Sequence, residues 1–469
     1  MNFLYILLAL FIFGILIFIH ELGHFIVARL CGVKVLEFAI GMGPKLIYWK
    51  SKKSGTVYSI RLFPIGGFVN MLGENGMEVV QGEQPEQKAE ETTDEKDSFF
   101  LSPSHEEGET QDASQSEMMT PTIGEEDAKH AYCNQSVWKR MLISLAGPAM
   151  NVILGFILMA VMVISSGITS LGTTQIAGFY VTYSAEESHD GFQNGDYISS
   201  IDGVKIHSFA QMQEYIASNP DQNFSVEVLR LTEDGLEIKV VTLENVSLDA
   251  SLLKSAFTSS LSEQSGLQID DKVIKVNGTN VHTYNELAYE IMNQGFQPMQ
   301  LTVLRDGEKV VLKDIIVPSY VESGVTFGDL DFKVWREESF GVGTVLKHTW
   351  YRSVSTVKMV FDSLGGLFSG RYGVEAVSGP VGITKTISDA AQMGWINVLY
   401  LVTVISINLG IMNLLPFPAL DGGHLLIYVI EMIRRKPMKK ELEGIINFIG
   451  LIILLSLAVI IMIKDIIAL

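Results

Sequence analysis

Phe3-Leu4-Tyr5-Ile6-Leu7-Leu8-Ala9-Leu10-Phe11-Ile12-Phe13-Gly14-Ile15-Leu16-Ile17-Phe18-Ile19 runs directly into His20-Glu21-Leu22-Gly23-His24. A bilayer core takes about 20 apolar residues, so a metal-type motif lies at the end of, or inside, a membrane-helix candidate. Residues four apart on a helix share a face. His20 and His24 therefore offer two imidazoles to one metal, with Glu21 beside them and directed at the water such a metal activates. Ionisable groups in lipid are costly unless a partner offsets the cost, so three of them within five residues read as function. The run lacks a basic start, and apolar residues continue where a cleavage site would fall, so it reads as a membrane helix and not a signal peptide.

Of the 469 residues 48% are hydrophobic, and the mean hydropathy of +0.28 is high for a soluble protein. The chain reads as a multi-pass α-helical membrane protein with four transmembrane helices, at 1–30, 137–166, 394–424 and 444–465. Lys34, Lys45, Lys50, Lys52, Lys53 and Arg61 follow the first, Lys139 and Arg140 precede the second, and Arg434, Arg435, Lys436, Lys439 and Lys440 separate the last two. The positive-inside rule makes these loops cytoplasmic and the segment from Gly167 to Gly394 extracytoplasmic. Cys31 and Cys133 then fall on the reducing side, and no structural disulfide is expected. The net charge of −19 has a local origin in a Glu/Asp-rich tract at 74–130, read as a disordered cytoplasmic insertion. No nucleic-acid partner is expected of so acidic a chain.

The outer segment repeats itself. Asp190–Gly203 aligns with Ser265–Gly278; Phe209, Met212 and Ile216 match Tyr284, Leu287 and Ile291 at helical spacing; Val226–Arg230 matches Leu301–Arg305 as an alternating strand. Each unit, at 176–248 and 249–320, reads as strand, Asp-Gly or Asn-Gly turn, strand, helix, strand. This resembles the PDZ domain, an α+β module that binds extended peptide by strand addition. The expected roles are peptide recognition or a steric hood over the membrane. An interfacial amphipathic helix is expected at 341–370, where Leu346, Trp350, Val354, Val357, Phe361, Leu364 and Leu367 form a stripe. Residues 31–73 read as a membrane-associated β segment, whose strand through Tyr58 and Ile60 is expected to hold an extended substrate.

A catalytic zinc takes a third protein ligand and keeps one position for water. Asp421 is the best candidate. It lies in Asn413-Leu414-Leu415-Pro416-Phe417-Pro418-Ala419-Leu420-Asp421-Gly422-Gly423-His424, whose prolines and glycines break the third hydrophobic segment. Irregular backbone at membrane depth is tolerated only where protein or water surrounds it. His424 is the alternative ligand, read instead as an interfacial histidine, and Asn408 and Asn413 are polar groups in apolar surroundings.

These motifs together resemble the site-2 protease family over nearly the whole chain: the HELGH helix, a β segment ending in Pro64-Ile65-Gly66-Gly67-Phe68-Val69, Ala146-Gly147-Pro148-Ala149-Met150-Asn151, the tandem repeats, Val377–Ile383 and the NLLPFPALDGG run. The resemblance implies one zinc ion on His20, His24 and Asp421, Glu21 as general acid and base, and substrate contacts from Asn408, Asn413, Pro416 and Pro418. It further implies a bacterial cytoplasmic membrane, and substrates that are single-pass membrane proteins of the anti-sigma-factor type or signal-peptide remnants. A silent peptide-binding scaffold would not need Glu21 beside a full ligand set, and a metal transporter would not need a base.

Overall fold

The computed structural model describes residues 3–74, 125–220, 222–231, 238–295, 297–322, 325–373 and 377–467. Most of the acidic tract expected at 74–130 lies outside them. Four helices among the described residues are long and apolar enough to cross a membrane: Leu4–Leu30, Val137–Ser166, Trp395–Asn413 and Glu441–Ile467. The third departs from the expected 394–424 span. It stops at Asn413, and a separate helix begins at Asp421 and runs to Arg434. Pro416 and Pro418 supply no N–H and disfavour helical backbone in the residues before them, while Ala419 turns the chain at φ +69°.

The chain forms two compact units, one from Leu10–Met150 with Asn413–Leu454, the other from Met1–Ala9, Asn151–Met412 and Leu455–Leu469. In the first unit, Val35–Lys50 pairs with Val57–Met71. The register resolves this long hairpin into four runs, because both strands bend: Gly41 and Gly43 at φ +84° and +88°, Gly66 at +86°. Tyr58 lies opposite both Phe38 and Trp49, while Phe38 lies opposite both Tyr58 and Val69. The runs therefore lie side by side as 45–50, 57–61, 35–40 and 67–71, with Tyr58 and Ile60 on an inner run. Both backbone edges of that run are occupied, so an extended peptide cannot add at Tyr58 and Ile60 as expected; Gly67–Met71 is an outer run. Phe38 anchors the sheet among Phe18, Phe25 and Tyr58, with ring centroids 5.1 to 6.3 Å apart. Beyond it Leu46, Ile47, Tyr48 and Trp49 are exposed.

In the second unit the sequence repeat becomes two similar sheets. One has the strand order 238–247, 223–231, 197–201, 181–183, 257–259; the other 308–315, 299–305, 272–276, 172–179, 332–336. Each is covered by a helix, Phe209–Ser218 or Tyr284–Gln294. Equivalent residues fill equivalent core places: Phe192, Ile198, Ile201, Met212, Ile216, Val226 and Val228 in one, Leu267, Val273, Val276, Leu287, Ile291, Leu301 and Val303 in the other. The strand pairing differs from a simple succession of 176–248 and 249–320. Residues 172–179 join the second sheet, and after Tyr180 the chain crosses to the first. All strands of the first sheet lie within 181–259, so the first repeat is inserted between two strands of the second. Hydrogen bonding decides this, since Phe332 and Val334 pair with Phe179 and Ile176.

The Val342–Phe368 helix turns its apolar stripe outward, with Leu346, Trp350 and Phe361 exposed, and buries His348, Arg352, Ser353 and Thr356. An outward apolar stripe suits contact with lipid. A further helix, Pro380–Gln392, starts where the Asp465 carboxylate accepts from Gly379 and Gly382 N–H, both at 2.8 Å, which satisfies donors that a helix start leaves open.

The repeats also share one charged lock. Arg230 donates two bonds to Asp196, at 2.8 and 2.7 Å, and a third to Gly191 O; Arg305 does the same to Asp271, at 2.7 Å twice, and to Gly266 O. Asp196 and Asp271 are each 1% exposed. Removing the guanidinium strands a buried carboxylate, which typically costs about 3–5 kcal/mol. Arg305→Ala is therefore expected to lower the unfolding free energy of the second sheet by that order, and Arg305→Lys by less, because the point charge remains without the fork. Amide hydrogen exchange at Lys272–Val276 measures it, and unchanged protection in Arg305→Ala would contradict the assignment.

Candidate metal centre

His20, Glu21 and His24 sit on the Phe3–Leu30 helix, which crosses the Val137–Ser166 helix at two glycines. A Cβ on Gly23 would overlap Ala146 O, and a Cβ on Gly147 would overlap the His24 imidazole, with His20 Nε2 only 2.8 Å away. Small residues let the helices approach closely. At the other side of the site the chain arriving from Asn413 folds tightly onto the start of the Asp421–Arg434 helix. A side chain on Gly422 would strike Leu414 O and Leu415 O, one on Gly423 would strike Phe417 O, and Pro418 packs against Gly450. This crowding is the physical reason for two glycines after Asp421.

The result is a compact donor triangle. His20 Nε2 and His24 Nε2 lie 3.2 Å apart, and Asp421 Oδ2 lies 3.1 Å from the first and 3.5 Å from the second. Among the described residues these three are the one His/Cys/Asp/Glu group able to share an ion. Donors at about 2.0–2.1 Å from a tetrahedral zinc stand about 3.4 Å from one another, so the residues fit that ion. The tautomer fits as well. His24 Nδ1 lies 2.8 Å from the Ile143 carbonyl, which can only accept, so the proton is on Nδ1 and Nε2 keeps its lone pair. His20 and His24 are each 9% exposed.

Glu21 points toward the outer strand run. Its stem packs against Gly67, where a Cβ would be 3.2 Å from Glu21 Cγ, and its carboxylate accepts from Val69 N–H. All four residues line one cavity of about 280 Å³, together with Phe68, Val69, Glu74, Tyr132, Ser144, His424, Tyr428 and Glu443. Such a cavity has room for several waters. Burial pushes the Tyr132 phenol up to about 12.

The structure thus brings His20, Glu21, His24 and Asp421 together. His424 lines the cavity but lies 3.3 Å from Glu443 Oε1, outside the donor triangle. Asn413, Pro416 and Pro418 do not line it; they shape the entry to the Asp421 helix, where Ala419 N–H donates to Asn447 Oδ1 at 3.3 Å. Asn408 is exposed and belongs to the other unit. Glu74, Tyr132, Gly147, Tyr428 and Glu443 carry no expectation from sequence. The spacing Asp421, His424, Tyr428, Glu431, three, four and three residues apart, marks one helical face and was the available signal for Tyr428.

The chain matches peptidase family M50 over residues 8–457. It is 30% identical to the zinc metalloprotease RasP of Bacillus licheniformis over 97% of both chains. It is 29% identical to the regulator of sigma-W protease RasP of Bacillus subtilis over 97% of this chain and 96% of that one. It is also 29% identical to a putative zinc metalloprotease of Vibrio cholerae over 99% and 98%.

Gly147 tests the geometry directly. A methyl at this position competes with both imidazoles for one space, whereas alanine favours the helix itself by about 1 kcal/mol. Gly147→Ala is expected to lose bound zinc while keeping its helical content. Metal analysis of the purified variant checks this, and a full complement of zinc would show that the two helices do not approach as described.

Proposed function

The chain belongs to peptidase family M50, the site-2 proteases, and is a transmembrane zinc metalloprotease; from that premise we propose that His20, His24 and Asp421 hold the zinc and that Glu21 is the general base and acid of peptide-bond hydrolysis within membrane segments. The observation that carries this reading is the triangle of Nε2, Nε2 and Oδ2 atoms, 3.1 to 3.5 Å apart, in the same cavity as Glu21. Zinc bound there supplies Lewis acidity toward a water and toward the scissile carbonyl. Glu21 takes the proton of the attacking water and returns it to the leaving amide nitrogen. His24 is held in its ligating tautomer by the Ile143 carbonyl.

A membrane helix hides its carbonyls in its own hydrogen bonds, so the substrate must open locally before attack. The Gly67–Met71 run, next to Glu21 at Val69, is the edge on which an opened segment is held. Asn413, Pro416 and Pro418 shape the path by which the opened segment reaches the Asp421 helix. The substrates are single-pass membrane proteins of the anti-sigma-factor type or signal-peptide remnants; the name of the Bacillus subtilis relative, a regulator of sigma-W protease, supports this class. The chain lies in the bacterial cytoplasmic membrane with its Lys- and Arg-rich loops inside. The two repeats are PDZ-like, extracytoplasmic, and restrict access to substrates already shortened on that side.

Replacement of one proton-carrying group separates chemistry from metal binding. Glu21→Gln is expected to retain zinc and to lower the cleavage rate of a model membrane substrate by about 10²–10⁴-fold, the usual worth of a general base. Unchanged cleavage would reject Glu21 as the base. The gate is tested by excising 181–259, which removes all strands of the first sheet without cutting those of the second. The shortened protein is expected to cleave an untrimmed substrate that the parent refuses, and continued refusal would reject gating by that repeat.

A further inference from the structure

The Asp421–Arg434 helix presents Asp421, His424, Tyr428 and Glu431 on one face. The Val137–Ser166 helix presents Arg140, Ser144 and Gly147, four and three residues apart, on another. At one end Arg140 donates to Glu431 at 2.7 Å, and its guanidinium lies 4.8 Å from the centre of the Tyr428 ring. Nearer the site the hydroxyls of Tyr428 and Tyr132 are 2.7 Å apart, both residues buried, and Tyr132 also bonds the Ser144 hydroxyl. At the far end Gly147 faces the two imidazoles.

The start of the Asp421 helix holds itself less well. Its cap residue is Leu420, which offers no side-chain bond, and two glycines follow Asp421. Rotation about the helix axis must therefore be fixed further along. A turn of about 20° moves a side-chain end ~5 Å from the axis by about 2 Å, more than a metal site tolerates. Tyr428 is two turns from Asp421, close enough to set that rotation.

We propose that the Tyr132–Tyr428 hydroxyl pair is a positioning device for the metal centre: it fixes the rotation of the Asp421 helix and so the approach of the Asp421 carboxylate to His20 and His24. This rests on the reading of Asp421 as a zinc ligand. Tyr428 touches neither substrate nor metal in this role, and acts through the helix that carries both it and Asp421.

The test uses the full chain in detergent, with Tyr428→Phe, Tyr132→Phe, the double variant and Asp421→Asn. Tyr428→Phe keeps the ring against Arg140 and removes only the hydroxyl. Zinc affinity is measured by competition with a chromogenic chelator, and the ligand geometry by the visible absorption of the cobalt-substituted protein. Each single Phe variant is expected to bind zinc about tenfold more weakly, as outer partners of a metal site typically do, and to shift the cobalt absorption with the melting temperature little changed. The double variant is expected to lose no more than either single one, because the two hydroxyls act as a unit. Parent zinc affinity and cobalt absorption in Tyr428→Phe, with zinc still lost in Asp421→Asn, would overturn the positioning role and leave the ligand assignment standing. A lowered melting temperature with unchanged cobalt absorption would overturn it too. Zinc retained in Asp421→Asn would overturn both.

Discussion

The approach of the Asp421 carboxylate to the Nε2 atoms of His20 and His24 is the contact around which the site-bearing unit is organised. Three polar groups in apolar surroundings are costly when separate and strongly held when they share one cation. The requirement explains residues that do no chemistry. Gly23 and Gly147 let two helices meet closely enough for both imidazoles to face one point, and Gly422 and Gly423 let the broken segment fold over the start of the Asp421 helix. The Ile143 carbonyl then decides which nitrogen of His24 is free.

Because the three donors come from opposite ends of the chain, the helix that brings the third must be fixed by something other than local sequence. Its outer half is anchored by Arg140 and Glu431, whose side chains are 14% and 4% exposed, and by the Tyr132–Tyr428 pair. A buried ion pair of this kind contributes little net stability against an apolar alternative but specifies a single arrangement. That is the property a metal site needs, since ligand geometry tolerates errors of only a fraction of an ångström. The outer run Gly67–Met71 applies the same economy to Glu21, holding it by one backbone N–H at Val69.

The other unit follows a different logic. Its two sheets bury equivalent residues at equivalent places and repeat the same Arg–Asp lock, which locates the duplication in the packing as well as in the letters. Yet the strands were not dealt out in chain order. The segment through Tyr180 serves both sheets, and Phe332–Arg336 returns to pair with Gly172–Phe179. Alternation of apolar residues marks a strand but not its neighbour, so the limits 176–248 and 249–320 followed sequence similarity where hydrogen bonding follows 181–259.

Much of the site was legible because its chemistry is local. HELGH places two imidazoles and a carboxylate together by helical periodicity alone, and the Pro-broken stretch before Asp421 announces that a polar residue is held there against the preference of the bilayer. Four apolar runs fixed the four membrane-length helices in the same way. What periodicity cannot carry is partnership at a distance: that the third helix stops at Asn413 and a new one starts at Asp421, that Tyr58 and Ile60 lie on an inner run while Gly67–Met71 meets Glu21, and that Tyr132 finds Tyr428 across the fold. The sequence by itself marked which side chains are suited to hold a metal and which carboxylate stands beside them. Only the tertiary structure decided that these atoms converge, because backbone pairing and the close packing of glycine against neighbouring helices set their separations, and neither is encoded within any one segment.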